Sequence, residues 1–338
     1  MKKLAYILVF VLLTGTHIAN AQSSNTKVGT TAAEFLRIPV GARASAMSAM
    51  TASVNDPSAM VWNPSGLANI TEREIMLEYT DWFVDFEHTF VGVAIPVGKG
   101  VAGVNVVALN MGEFDETTEE AQGKTGRTFN AYSLAVGASY AQYLIPQFTI
   151  GGTVKFIYER IFNSSASTVA FDIGTTYTTP FDDIKFGVSI TNAGSKMQMD
   201  GNDLLVSSDQ DQEGKGNYES DAKRVTDPFA LPLMLRVGLA WDPIKEDNFR
   251  TTIAIDGNSP SNNVQSVSIG GEIALMEEQV FIRAGVPYIG QEDKTEKFNV
   301  GLGFNFKLEN SFKIGINYAF HSYKDLGEVN KLSLLIYF

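Results

Sequence analysis

Chemistry at a protein site needs a base, a nucleophile or a set of metal ligands, and this sequence offers few of them. It contains three histidines, His17, His88 and His321, and no cysteine. Without cysteine there is no thiolate nucleophile, no thiolate metal site and no disulfide. No Gly-x-Ser-x-Gly elbow and no metal-spaced histidine pair occurs. His88 stands just ahead of an expected strand and His321 at the end of another, beside aromatics. With no partnered nucleophile, both read as interfacial residues rather than general bases. The densest acidic cluster is Asp200, Asp203, Asp209, Asp211, Glu213, Glu219, Asp221 and Asp227. It lacks the ligand spacing and closing bidentate Glu of a calcium loop, so it reads as a solvated surface loop. The expectation is a protein that is not an enzyme, with no catalytic residue, no metal and no cofactor.

The charge balance sets limits on partners. Lys+Arg number 26 against Asp+Glu 38, a formal net charge of -12. Such a surface repels phosphate, so nucleic acid is not an expected partner. Lys2 and Lys3, the apolar run 4–13 and the small-residue site Ala19-Asn20-Ala21 before Gln22 form the three parts of a cleavable secretory signal. Residues 1–21 are therefore expected to direct export through the inner membrane. Beyond them no stretch reaches 18 consecutive apolar residues, which excludes a helical span.

The elements that remain are strands. In 132–140 one face reads Tyr132, Leu134, Val136, Ala138, Tyr140 and the other Ser133, Ala135, Gly137, Ser139. The same period-two contrast runs through 233–241, 298–307 and 312–321. A soluble sheet would put Lys, Glu and Thr on its second face. Here that face is Gly, Ser, Ala and Asn, which suits a crowded wet lumen, while the bulky face suits hydrocarbon. The fold expected is all-β: a transmembrane antiparallel β-barrel of about 14 strands over residues 71–338, lying in outer-membrane lipid. Tight connections at 96–100, 144–146, 180–183 and 309–310 alternate with long loops at 111–127, 161–167, 195–228 and 290–294. The chain closes on a β-prone run ending in Phe338, as outer-membrane barrels do.

Residues 22–70 are different in kind. The small residues of 42–52 favour a helix held in tight quarters. Asp56-Pro57 reads as an N-cap with proline at the first helical position. Trp62-Asn63-Pro64-Ser65-Gly66-Leu67 closes the segment with a turn. A stretch this short cannot build its own core, so it is expected to borrow the barrel's interior as a plug. Its motifs are Phe35-Leu36-Arg37-Ile38-Pro39-Val40-Gly41-Ala42-Arg43-Ala44-Ser45-Ala46-Met47, then Asn55-Asp56-Pro57-Ser58-Ala59, then 62–67. Together they resemble the PorV/PorQ family, barrels of the type IX secretion system in Bacteroidetes-type bacteria with an architecture similar to the FadL hydrophobic-solute transporters. Ser48 stands where that family usually has glycine, and Ser65 where it usually has alanine.

The resemblance implies a component of type IX protein secretion that binds or shuttles cargo through its C-terminal domain, or docks to the translocon barrel. Loops 111–127 and 195–228 are the natural grips. The residues carrying the motif are Arg43, Met47, Asp56, Trp62, Asn63, Pro64, Gly66 and Leu67. The alternative is a FadL-like channel for hydrophobic solutes. Against it stands the polarity of the expected lumen side, with Gly, Ser, Asn, Arg236, Arg283 and Lys313.

Overall fold

The structure, a computed structural model, describes residues 28–118, 121–209, 219–289, 291, 294–308 and 312–338. The expected leader, 1–21, lies outside the described residues.

Among the described residues seventeen strands follow one another, beginning with β1 Glu74–Asp81, β2 Glu87–Val97, β3 Gly100–Thr118, β4 Gly123–Ile145, β5 Phe148–Ile161, β6 Ser164–Thr178 and β7 Lys185–Gly194. Next come three short ones, β8 Asp200–Gly201, β9 Leu205–Asp209 and β10 Glu219–Lys223, within the long connection. The last seven are β11 Met234–Glu246, β12 Phe249–Pro260, β13 Ser266–Leu275, β14 Val280–Ile289, β15 Glu296–Lys307, β16 Lys313–Tyr323 and β17 Glu328–Tyr337. Strands β1–β7 and β11–β17 pair antiparallel with their neighbours into a closed ring of fourteen. β1 pairs with β17, with Glu74 opposite Tyr337, and β7 pairs with β11, with Thr191 opposite Met234. Closure leaves no free strand edge in the ring.

The ring is apolar outside. On β15, Phe298, Val300, Leu302 and Phe304 are each 40–46% exposed, while Asn299 is 2% exposed on the opposite face. On β4, Val136 and Tyr140 are exposed, whereas Ser133, Ala135 and Ser139 are buried. Water would not tolerate so continuous an exposed apolar band on a soluble protein. No described helix is long and apolar enough to cross a membrane, so any crossing is made by strands.

Connections sort by end. At the end where β1 begins and β17 finishes they are short, such as Gly98-Lys99 and Pro146-Gln147. At the other end they are longer, and two depart from expectation. The stretch 111–127, read as a loop, is mostly strand. β3 and β4 run on past the ring as a projecting hairpin, stepped by a bulge between Asn110 and Glu113. Phe114 stacks on Phe129 at 5.4 Å between ring centroids, and Arg127 meets Glu116 at 2.8 Å. The region 195–228 carries β8 bridged to β6 and the β9–β10 hairpin, so it is not uniformly unstructured polar chain. There a hydrogen bond from Lys223 holds the Asp200 carboxyl below its usual range.

Residues 28–70 lie inside the ring. A short helix α1, Ala42–Met47, packs against the β13–β17 wall, and a 3-10 turn at Pro64–Asn69 packs against β3–β6 opposite. Between them lies a second helix, α2, Ala59–Trp62. The expected helix over 42–52 ends early, at Ser48 with φ 60°. Residues beyond it bend away because the wall supplies better partners for their amides than a further helical turn would. Wall glycines permit the approach. A Cβ on Gly285 would lie 2.6 Å from the Ala46 carbonyl oxygen, and one on Gly151 2.5 Å from that of Pro64.

Candidate functional site

The lumen and the segment within it carry most of the chain's buried polar chemistry, built strand by strand. On β12, Asp256 is fully buried. Its Oδ2 accepts from Met50 N and Thr51 N at 2.9 Å each and from the Thr51 hydroxyl at 2.7 Å. Three donors gathered on one buried carboxyl oxygen fix the segment where α1 has ended. On β13, Glu272 is 1% exposed and serves three guanidiniums: Arg283 at 2.6 Å, Arg250 at 3.0 Å and Arg43 at 3.1 Å. Arg43 also approaches Asp56 at 3.7 Å. Burial works against the charge of Arg43, yet the carboxylates of Glu272 and Asp56 outweigh it and hold its pKa above the usual arginine value.

A third anchor crosses the closing seam of the ring. Ala42 N donates to Ser333 Oγ at 2.8 Å, and that hydroxyl donates to Glu78 at 2.6 Å. Ser333 and Glu78 face each other across β17 and β1. Beside them the Lys331 ammonium donates to the Pro39 carbonyl.

The motif residues fall into two groups. Arg43, Met47 and Asp56 sit on the β13–β15 side. Trp62, Asn63, Pro64, Gly66 and Leu67 sit against β4–β7 or directly beneath them, all buried. Asn63 donates to Thr51 O at 2.7 Å and accepts from Ser65 Oγ at 2.8 Å, while Ser65 Oγ lies 2.8 Å from Thr176 Oγ1. Trp62 Nε1 donates to Val40 O at 2.7 Å, and Ser189 Oγ donates to Trp62 O at 2.9 Å. A Cβ at Gly66 would collide with the Val54 carbonyl. Asp56 does not cap a helix as expected: α2 starts at Ala59 with Ser58 at its N-cap and no side-chain cap, and Asp56 instead accepts from Ser58 N at 2.9 Å in the turn before it.

The histidines are a correction. His88 and His321 are not interfacial; both point into the lumen and are 0% and 1% exposed. His321 Nδ1 pairs with Glu296 at 2.8 Å. Strand parity carried the signal, since His321 shares the small face with Ala319 and Asn317. Sequence reasoning also passed over Asp256, Glu272, Glu78 and Lys331. Asp256 and Glu272 are each a charge on the otherwise small face of a period-two segment, and that misfit was the available clue. Among the described residues no group of three His, Asp or Glu side chains could hold a metal ion.

The segment divides the lumen. Towards the loop end lies a cavity of about 70 Å³, walled by Leu36, Ile38, Val40 and Tyr288 and touched by Arg37 and Arg236. Towards the turn end lie two larger, charged spaces of about 260 and 210 Å³, both bordered by Arg43, Asn55 and Arg250. The wall is polar as expected, but the segment brings its own apolar surface, with Phe35, Leu36, Met47, Met60 and Leu67 buried in one core.

Three comparisons with known proteins bear on this arrangement. The model of an uncharacterised protein family, UPF0164, matches residues 13–336. No curated protein matches the chain. Among solved structures, the toluene transporter TodX of Pseudomonas putida superposes with a TM-score of 0.56 at 11% identity, covering 88% of this chain and 97% of its own. The CymD monoaromatic hydrocarbon channel superposes with a TM-score of 0.57 at 11% identity, covering 89% of this chain and 97% of its own. At that identity the likeness is one of fold.

Proposed function

The chain belongs to the uncharacterised protein family UPF0164, and we propose that it is a gated outer-membrane channel for small, largely apolar solutes. One observation carries this reading. The lumen holds a cavity of mixed apolar and polar lining at the loop end and charged space at the turn end, and the tethered segment 28–70 lies between them. A solute crossing from one side to the other has to pass that segment, whose anchors are polar contacts able to exchange with water. The exposed apolar band supports a ring set in lipid, and the short turns would then face the periplasm. The polarity of the wall, which counted against a channel, loses weight because the segment supplies the apolar lining. TodX and CymD, which share the fold, are described as a toluene transporter and a hydrocarbon channel.

The test is to lock the segment. The chain has no cysteine, so Ser65→Cys with Thr176→Cys introduces a single pair whose γ atoms now stand 2.8 Å apart. In cells with a lipopolysaccharide outer leaflet and no aromatic channel of their own, the unmodified chain should accelerate uptake of labelled toluene. Oxidising the pair should stop that uptake and reduction should restore it. Uptake at the rate of empty cells with the unmodified chain would end the reading.

The second reading is export through a type IX system. It is supported by the N-terminal motif and by the projecting β3–β4 hairpin, which offers a grip beyond the ring. Every motif residue, however, has a packing role inside the lumen. Pull-down from native membranes decides it: recovery of a giant translocon barrel or of secreted cargo favours export.

A further inference from the structure

The loop-end cavity holds a cation that makes no direct ion pair among the described residues, the charges of Asp256 and Asp172 reaching Arg236 only from a distance. Arg236 projects inward from β11, between the outward-facing Leu235 and Val237, and its guanidinium stacks over the Trp62 ring at 5.2 Å. Its one hydrogen bond among the described residues goes to Thr191 Oγ1 at 3.2 Å. No carboxylate among the described residues comes within ion-pairing distance of it. The other lumen arginines behave differently, since Arg43, Arg250 and Arg283 share Glu272, and Lys155 meets Asp172 at 2.8 Å. A guanidinium carries five donors, and leaving a charge half-solvated without a partner is costly.

The same cavity contains a second arginine, Arg37, whose partner Glu34 stands at 3.4 Å. The acid in the lining, Glu296, is turned to His321 at 2.8 Å. In a chain of net charge -12, this is a local excess of positive charge beside apolar walls.

We propose that the cavity binds a small organic anion, a carboxylate on a short apolar body. Stacking on Trp62 fixes the guanidinium plane, so its free N–H edges can meet both carboxylate oxygens as a fork. Leu36 and Ile38 would receive the body. A cavity of about 70 Å³ is several times the roughly 10–15 Å³ that a cavity needs to hold one water, so it admits the head and a few carbons. The inference deepens the channel reading, on which it rests for the anion's route, by naming what the outer cavity selects.

The test titrates the purified full chain, in non-ionic detergent at low salt, with butyrate and with 1-butanol by calorimetry. Butyrate should saturate one site and bind about tenfold or more tightly than butanol, the difference expected of a charge-assisted contact. Arg236→Gln should remove that preference and Arg236→Lys should restore part of it. Equal affinity for the acid and the alcohol in the unmodified chain overturns the proposal, whether or not the variants fold. So does a butyrate affinity that Arg236→Gln leaves intact. Butyrate binding without toluene uptake would sink the channel and keep the site, whereas toluene uptake without butyrate preference would sink the site and keep the channel.

Discussion

Two buried carboxylates hold the lumen segment, and they hold it differently. Asp256 receives two main-chain amides and a hydroxyl, all from Met50 and Thr51. Hydrogen bonds contribute about 0.5–1.5 kcal/mol each, so losing three of them in Asp256→Ala should free that turn without opening the ring. Hydrogen exchange at the Met50 and Thr51 amides should quicken by about tenfold or more, with the strand amides unchanged; unaltered exchange would remove Asp256 as the anchor. Glu272 is instead shared among three arginines. Glu272→Gln leaves Arg283 with no carboxylate partner among the described residues, while Arg250 keeps Glu278 and Arg43 keeps Asp56; it should cost about 3–5 kcal/mol, the range for orphaning buried charge. Arg43→Gln should cost clearly less, because Glu272 keeps Arg283 and Arg250. Urea unfolding in micelles compares the two, and equal losses would contradict a shared clamp.

Elements of the ring depend on local pattern, and the projecting hairpin depends on itself. Phe114, Phe129 and the Arg127–Glu116 pair connect its two arms beyond the wall. Replacing residues 113–129 with a two-residue Asn-Gly turn should leave a barrel that still shifts mobility on heating in gel electrophoresis. Failure to form that species would mean the hairpin is needed for closure. This division explains what could be read from the sequence. The wall was legible because parity is local: Phe298, Val300 and Leu302 alternate with Asn299, Gly301 and Gly303 whatever the rest of the chain does. The projecting arms were missed because Glu113, Asp115 and Glu116 resemble loop composition, and only the cross-strand pairing of Phe114 with Phe129 turns them into strand. The end of α1 was missed for a related reason. Small residues continue to Ala52, but the amides of Met50 and Thr51 are taken by Asp256, about two hundred positions away. His321 was misread from its aromatic neighbours, where parity pointed the other way, and His88 because its strand begins at Glu87 rather than at Thr89 as expected.

At the scale of the whole molecule the outer face is the property that matters most. Leu302→Arg, midway along β15, should destabilise the barrel in a bilayer by about 2–4 kcal/mol, whereas Phe306→Arg, near the turn end of the same strand, should cost about 0–1 kcal/mol. Denaturant titration in lipid vesicles measures both, and equal penalties would mean that no hydrocarbon layer surrounds the ring. The ring's first and last strands meet at Glu78 and Ser333, and the hydroxyl of Ser333 is also held by Ala42. That hydroxyl has consequences for manufacture. The strand that finishes the cylinder is synthesised long after residues 28–70, and its inward face is shaped to receive that earlier stretch. Filling and sealing are thus a single act of assembly: the interior occupant is enclosed as the wall comes round, and a chain deprived of it would arrive at the final join with Ser333 and Glu78 facing an empty bore.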